Sequence, residues 1–323
     1  MKNTGYFLFS LDTELATGYF DLERDRGGKF SNDGLRERRS ISKLIDILEE
    51  YNITGTWALV GHLFYERCKD CEECRMIDWK GKYSSFEEVH STCNPLWYGS
   101  DIVEMLLKKG TRQEIAFHGF THKIFNEDQM SSEEAEKEAL KWLSVAQSKG
   151  IVPRAVVYPR NVVGHTDILS KAGFICFRMD PDRSWLIRNK LFGRYAKALD
   201  QILGVSSLPI FDLEVNNCDG MVSLYSSQCF FDLNRKAENI LDRLNLHDLR
   251  FRRVIRGIHK AAEEKKMLHI WAHPSDFRTE KDFLKLRHIL DALSHEVQLG
   301  RMRSVGMTEM ARIMLEQNSS TGL

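Results

Sequence analysis

Short apolar runs alternate with amphipathic, helix-spaced segments along this 323-residue chain. Tyr6–Asp12, Thr54–Gly61, Glu114–Phe117, Ala155–Pro159, Phe174–Arg178 and Leu268–His273 read as strands. Leu35–Tyr51, Asp101–Lys109, Ser131–Lys149 and Asp167–Lys171 carry apolar residues at helical spacing. The pattern continues with helices near 186–204, 232–265 and 280–299, short strands near 208–210, 222–225 and 303–305, and a closing helix. Such alternation favours parallel strands joined by crossover helices, hence a (β/α) barrel or a doubly wound sheet. There is no internal repeat and no low-complexity linker. A single domain over 1–323 is expected, with an insertion at about 62–100 and helical additions at about 186–204 and 232–265.

In parallel folds chemistry gathers at the carboxyl ends of the strands. The run Ile115-Ala116-Phe117 ends at His118, and His122 follows four residues later. On one turn of helix two such imidazoles share a face, roughly 5–6 Å apart at Cβ, which suits convergence on one metal ion. Another apolar run, Tyr6–Leu11, ends in Asp12 and Glu14. Strand alternation puts Phe7, Phe9 and Leu11 on one face and Leu8, Ser10, Asp12 and Glu14 on the other. Two imidazoles and one carboxylate would hold a divalent ion, with the spare carboxylate acting as general base on water. The bland alternative is an ion-pair cluster between strand ends.

His269, Trp271 and His273 share a face of the last clear strand. His273, at its carboxyl edge, fits a general acid for a departing amine, and Asp276 is placed to orient it. His269, deeper in the strand, reads as a satisfied core group. Arg160 and Asn161 follow Tyr158-Pro159 at another strand end. Arg160 would pair with the base carboxylate and orient it, or be an ordinary loop arginine. His165 would bind substrate or cap a helix.

Taken in order, Ser10-Leu11-Asp12-Thr13-Glu14, His118-Gly119-Phe120-Thr121-His122, Tyr158-Pro159-Arg160-Asn161, Trp185, and Ile270-Trp271-Ala272-His273-Pro274 resemble the motifs of the polysaccharide deacetylases, the NodB-like carbohydrate esterases. The resemblance runs from Phe7 to about Ala311. With one residue between its two acids, the first motif resembles the subgroup carrying Asp-x-Glu. The resemblance implies a distorted (β/α) barrel of about seven parallel strands and metal-dependent removal of N-acetyl groups from sugars. It implies Asp12 as base, His273 as acid, and Glu14, His118 and His122 as metal ligands. Tyr158, Arg160, Asn161, Trp185 and Trp271 are implied as substrate contacts. Zn²⁺ is the expected ion, with Co²⁺, Ni²⁺ or Mn²⁺ as substitutes. Rival readings are an allantoinase-like or deformylase-like amidohydrolase on a non-acetyl C–N bond, and a catalytically inactive carbohydrate-binding relative.

Lys plus Arg and Asp plus Glu balance at 46 each, so bulk charge points to neither nucleic acid nor a membrane surface. No apolar run approaches the ~18 residues that would span a bilayer. The first residues lack a signal-peptide pattern, and an odd count of seven cysteines fits reduced thiols, so a cytoplasmic protein is expected. Cys68, Cys71, Cys74 and Cys93 would bind a second metal or remain surface thiols. Trp97 and Tyr98, in the insertion, would stack on a sugar ring or pack locally. The basic stretch Leu249–Arg256 is a solvated helix face or a contact for phosphate on a nucleotide-linked or lipid-linked sugar.

Overall fold

The first strand, β1 (Gly5–Thr13), is buried over its whole length and lies at the centre of the sheet. A computed structural model of the chain describes residues 4–19, 30–67, 95–109, 112–181, 207–231 and 247–321. On one side β1 pairs with β9 (Met267–Ala272) over Tyr6–Leu11. On the other it pairs first with β10 (Met302–Ser304) and then with β2 (Gly55–Leu59). Beyond β2 come β3 (Glu114–Phe117), β4 (Ala155–Val157), β5 (Cys176–Met179) and β7 (Met221–Tyr225), all parallel. The two-residue β6 (Asn217–Cys218) adds antiparallel to β7.

Only Ser226 and Ser227 separate β7 from β8 (Gln228–Cys229), which pairs with β9. One continuous run therefore joins the two ends of the sheet: Ser226 N donates to Met179 O at 2.8 Å and Ser227 N to His269 O at 2.7 Å. Its staves are β1, β2, β3, β4, β5, the β7–β8 run and β9, the expected distorted barrel of about seven strands. Strands β6 and β8 were too short for a periodicity to reveal. The strand expected near 208–210 is absent, and Phe211 alone bridges to Met267.

The connecting helices are α1 (Leu35–Glu50), α2 (Ser100–Lys109), α3 (Ser132–Gln147), α4 (Thr166–Lys171), α5 (His247–Glu264), α6 (Glu280–Gln298) and α7 (Met307–Thr321). Helix α3 opens on the expected capping box of Ser131 and Glu134, and Gly150 follows its end at φ 74°. Phe7, Phe9 and Leu11 pack with α1, α2 and α6 residues in the outer core. Tyr6 and Leu8 face inward with Ala58, Ala116, Val157 and Leu224, against Met307, Met310 and Met314 of α7. This helix plugs the amino end of the barrel. Glu114 of β3 caps it, accepting from Met307 N at 2.7 Å and Thr308 N at 3.0 Å. Inward positions on β1 thus pass from apolar at the plugged end to polar at the carboxyl mouth.

Trp97 and Tyr98 are buried in the main core, with Trp97 5.3 Å from the His62 ring, so local packing and not sugar stacking is their role. On α5, Phe251, Val254 and Ile258 are buried while Arg252 and Arg256 face solvent. Cys68, Cys71, Cys74, Cys93, Trp185 and the helix expected at 186–204 lie outside the described residues. Among the described residues, no helix is long and apolar enough to cross a membrane.

Candidate functional site

His118 follows β3 directly. Its Nδ1 lies 2.7 Å from Val157 O, at the end of β4, and must donate because a carbonyl only accepts. That fixes the tautomer and leaves the Nε2 lone pair towards Glu14 Oε2, 3.2 Å away. His122 arrives by a different route from the helical turn expected from the spacing. Residues 118–122 are a loop: Gly119 takes φ 75° and His122 itself φ 63°. This tight reversal brings the two rings to 5.0 Å between centroids and His122 Nε2 to 2.8 Å from Glu14 Oε2.

All three groups are buried. Burial holds the His122 pKa down against the pull of Glu14. Burial pushes the other way on Glu14, but His122 and His273 overcome it and hold the carboxyl well below its usual range. His122 Nδ1 is buried without a hydrogen-bond partner among the described residues, and Nε2, although 2.8 Å from Glu14 Oε2, is not in hydrogen-bond geometry with it. Orphaned imidazole nitrogens facing an ionised carboxylate are what a cation site requires. One ligand atom from each of Glu14, His118 and His122 lies within 4.8 Å of the others, so the donor set fits a divalent ion.

Asp12 is tied to a residue that spacing did not single out. Arg178, fully buried on β5, donates Nη1 to Asp12 Oδ1 and Nη2 to Oδ2, both at 2.6 Å. Its Nη1 also reaches Ser10 Oγ at 3.0 Å, and its Nη2 reaches Asn161 Oδ1 at 2.7 Å. The guanidinium stacks on Trp271 at 4.5 Å. Burial raises the Asp12 pKa, but Arg178 outweighs it and the net direction is down. Arg160, considered from sequence for this tether, is instead exposed in a left-handed turn at φ 55°. The signal available for Arg178 was its inward parity with Cys176 on an otherwise apolar strand.

His273 stands at the end of β9, with Nε2 3.4 Å from Glu14 Oε1 and Nδ1 3.3 Å from Asp276 Oδ2. The expected orienting carboxylate is therefore in place. His269 is fully buried, bonded to Ser10 Oγ at 2.9 Å, with its pKa pushed down to about 3 by burial and then by Arg178.

The expected substrate contacts divide. Arg160 lies within electrostatic range of His122. Asn161 braces Arg178 and donates to Asp180 Oδ2 at 3.1 Å. Trp271 is half-buried under Arg178 and 5.6 Å from the His273 ring. Tyr158 is fully buried between Phe125 and Phe177, at 5.8 and 5.7 Å, in the main core. His165 neither caps α4 with its side chain nor lines the site; its Nε2 bonds Met130 O at 2.9 Å.

No protein-family model and no curated protein matches the sequence. Solved structures do. A protein assigned as a polysaccharide deacetylase from Mycobacterium smegmatis aligns at TM-score 0.63 and 15% identity, over 98% of this chain and 92% of the other. One so assigned from Pseudomonas aeruginosa PAO1 aligns at 0.55 and 13%, over 95% and 89%. Puue allantoinase aligns at 0.51 and 12%, over 96% and 90%. At these identities the likeness is one of architecture, and one architecture serves several chemistries. Full-length alignment and the barrel topology agree: the chain has the NodB-like polysaccharide-deacetylase fold.

Proposed function

We propose that this chain is a metal-dependent hydrolase that removes an N-acetyl group from a sugar or glycan precursor, yielding acetate and a free amine. The observation that carries this reading is the grouping at one barrel mouth. A carboxylate locked by arginine and a carboxylate-oriented histidine flank Glu14, His118 and His122. Those three residues would hold the ion, and two imidazoles with one carboxylate suit Zn²⁺. A divalent ion bound there would polarise the acyl carbonyl and acidify water.

Asp12, kept ionised by Arg178, accepts the proton of the attacking water through the lone pairs that the guanidinium leaves free. His273 delivers a proton from Nε2 to the departing nitrogen, and Asp276 at Nδ1 steadies the imidazolium. Trp271 and Arg160 are the residues from which sugar contacts are expected.

The test pairs elemental analysis with an acetate-release screen over N-acetylated sugars. His118→Ala or His122→Ala should lose the metal. Asp12→Asn and His273→Gln should retain it while turnover falls about 10²–10⁴-fold. Allantoate from allantoin, or formate from a formamide, in place of acetate would overturn the substrate assignment. Normal activity in Asp12→Asn would overturn the roles.

A further inference from the structure

The loop that carries both histidines cannot hold itself in place. It has five residues and two left-handed backbones, at Gly119 and at His122, where a side chain disfavours that conformation. Neighbouring elements hold its carbonyls: Gly61 N donates to Gly119 O at 3.0 Å, and His62 Nδ1 lies 3.1 Å from Phe120 O. Two of its amides go to one side chain. Phe120 N and Thr121 N donate to Glu138 Oε2 at 2.7 and 2.9 Å, and Thr121 Oγ1 donates to Glu138 Oε1 at 2.6 Å. Glu138 sits on α3, 4% exposed, and Phe120 and Thr121 are fully buried.

Two successive amides converging on one oxygen form a small anion-binding nest. Here the anion is built into the chain. A carboxylate sunk in a helix face is costly to desolvate, and burial does push the Glu138 pKa up. Its placement is explained by what it holds: without it, two buried amides between the metal-site histidines would be orphaned. The ends of the loop are also the ends of the ligand pair. Any relaxation of the two central peptides changes the angle between the His118 and His122 rings.

We infer that Glu138 is a positioning residue for the metal centre, whose three hydrogen bonds preset the two histidines for one ion and so set the affinity for it. The inference rests on the proposed metal site and deepens it. Hydrogen bonding, not charge, carries the effect. A glutamine oxygen accepts both amides, and the Thr121 hydroxyl can turn to accept from the glutamine NH₂.

The test measures Zn²⁺ affinity of the full chain by competition with a chromophoric chelator. Glu138→Ala should weaken binding about 10–100-fold, the range for residues that orient metal ligands. Glu138→Gln should stay within about threefold of the parent, and Thr121→Val should fall between. Ala146→Gly, which weakens the same helix away from the loop, should leave affinity unchanged. Amide hydrogen exchange of the metal-free protein supplies an independent readout. Phe120 and Thr121 should be protected in the parent and in Glu138→Gln, and lose protection in Glu138→Ala. If Glu138→Ala fails to fold, Thr121→Val against Glu138→Gln decides.

Unchanged affinity in Glu138→Ala, equal loss in Ala146→Gly, or equal loss in Glu138→Gln would overturn the inference. A parent that binds no divalent ion would overturn the metal centre itself. In that case the exchange data would still report whether Glu138 holds the loop.

Discussion

Arg178→Met tests the interaction on which the proposed base depends. The substitution keeps an unbranched chain in the barrel and removes the charge. It leaves Asp12, 4% exposed, buried without the two 2.6 Å bonds that compensate its desolvation. Breaking a buried ion pair from one side costs about 3–5 kcal/mol, because the surviving charge is stranded. Removing both charges in Asp12→Asn/Arg178→Met should recover much of that, giving a coupling of about 2 kcal/mol or more. Urea unfolding of the four proteins at pH 7, in excess chelator, measures it.

The pH dependence follows from the same pair. Arg178 holds the Asp12 carboxyl below its usual value against burial. In the variant burial prevails and the pKa rises, so the acid limb of kcat/KM should move to higher pH. A carboxyl whose folded pKa is depressed stabilises the fold above its unfolded pKa and loses that contribution as pH falls through the folded value. The stability gap between parent and variant should therefore be widest near pH 7 and narrow as Asp12 in the variant takes up its proton. A cost under about 1 kcal/mol for Arg178→Met, or additivity in the double variant, would refute the reasoning.

Three further outcomes are expected. Gly18 lies in the short turn after Glu14, and a Cβ there would stand 2.2 Å from Glu14 Cδ. Gly18→Ala should displace the ligand carboxylate and weaken Zn²⁺ binding about tenfold or more while metal-free unfolding barely changes; unaltered affinity would remove Glu14 from the ligand set. His269, with its pKa pushed down to about 3 in the folded chain, binds its proton more readily when unfolded. Stability should be insensitive to this group above pH ~6.5 and fall by about 1.4 kcal/mol per pH unit between ~6.5 and ~3; a His269→Gln comparison that shows no such difference in slope would count against the burial argument. The Tyr158 hydroxyl is buried without a hydrogen-bond partner among the described residues. Tyr158→Phe should leave KM unchanged and stability equal or higher by up to about 1 kcal/mol, whereas a tenfold rise in KM would mark Tyr158 as a substrate contact.

The local pattern of the chain determined a good deal. Alternation of strand and helix named the barrel, because each βα unit must bury a two-residue and a 3.6-residue periodicity against one another. Parity along β1 placed Ser10 and Asp12 on the inward face, and parity along β9 placed His269 deep and His273 at the mouth. Tertiary structure decided which of these groups meet. Arg160 and Arg178 both stand near the ends of short strands, and spacing alone does not distinguish them. The chain turns left-handed at Arg160 and carries it outward, while β5 lies across the lumen from β1 and brings Arg178 onto Asp12. Glu138 reads in sequence as one more acid on a charged helix, until α3 docks it under the amides of a loop 17 and 18 residues earlier. Periodicity is a property of neighbours in the chain and fixes the face each side chain takes. Contacts across the barrel depend on how the sheet closes, which no local window of residues contains.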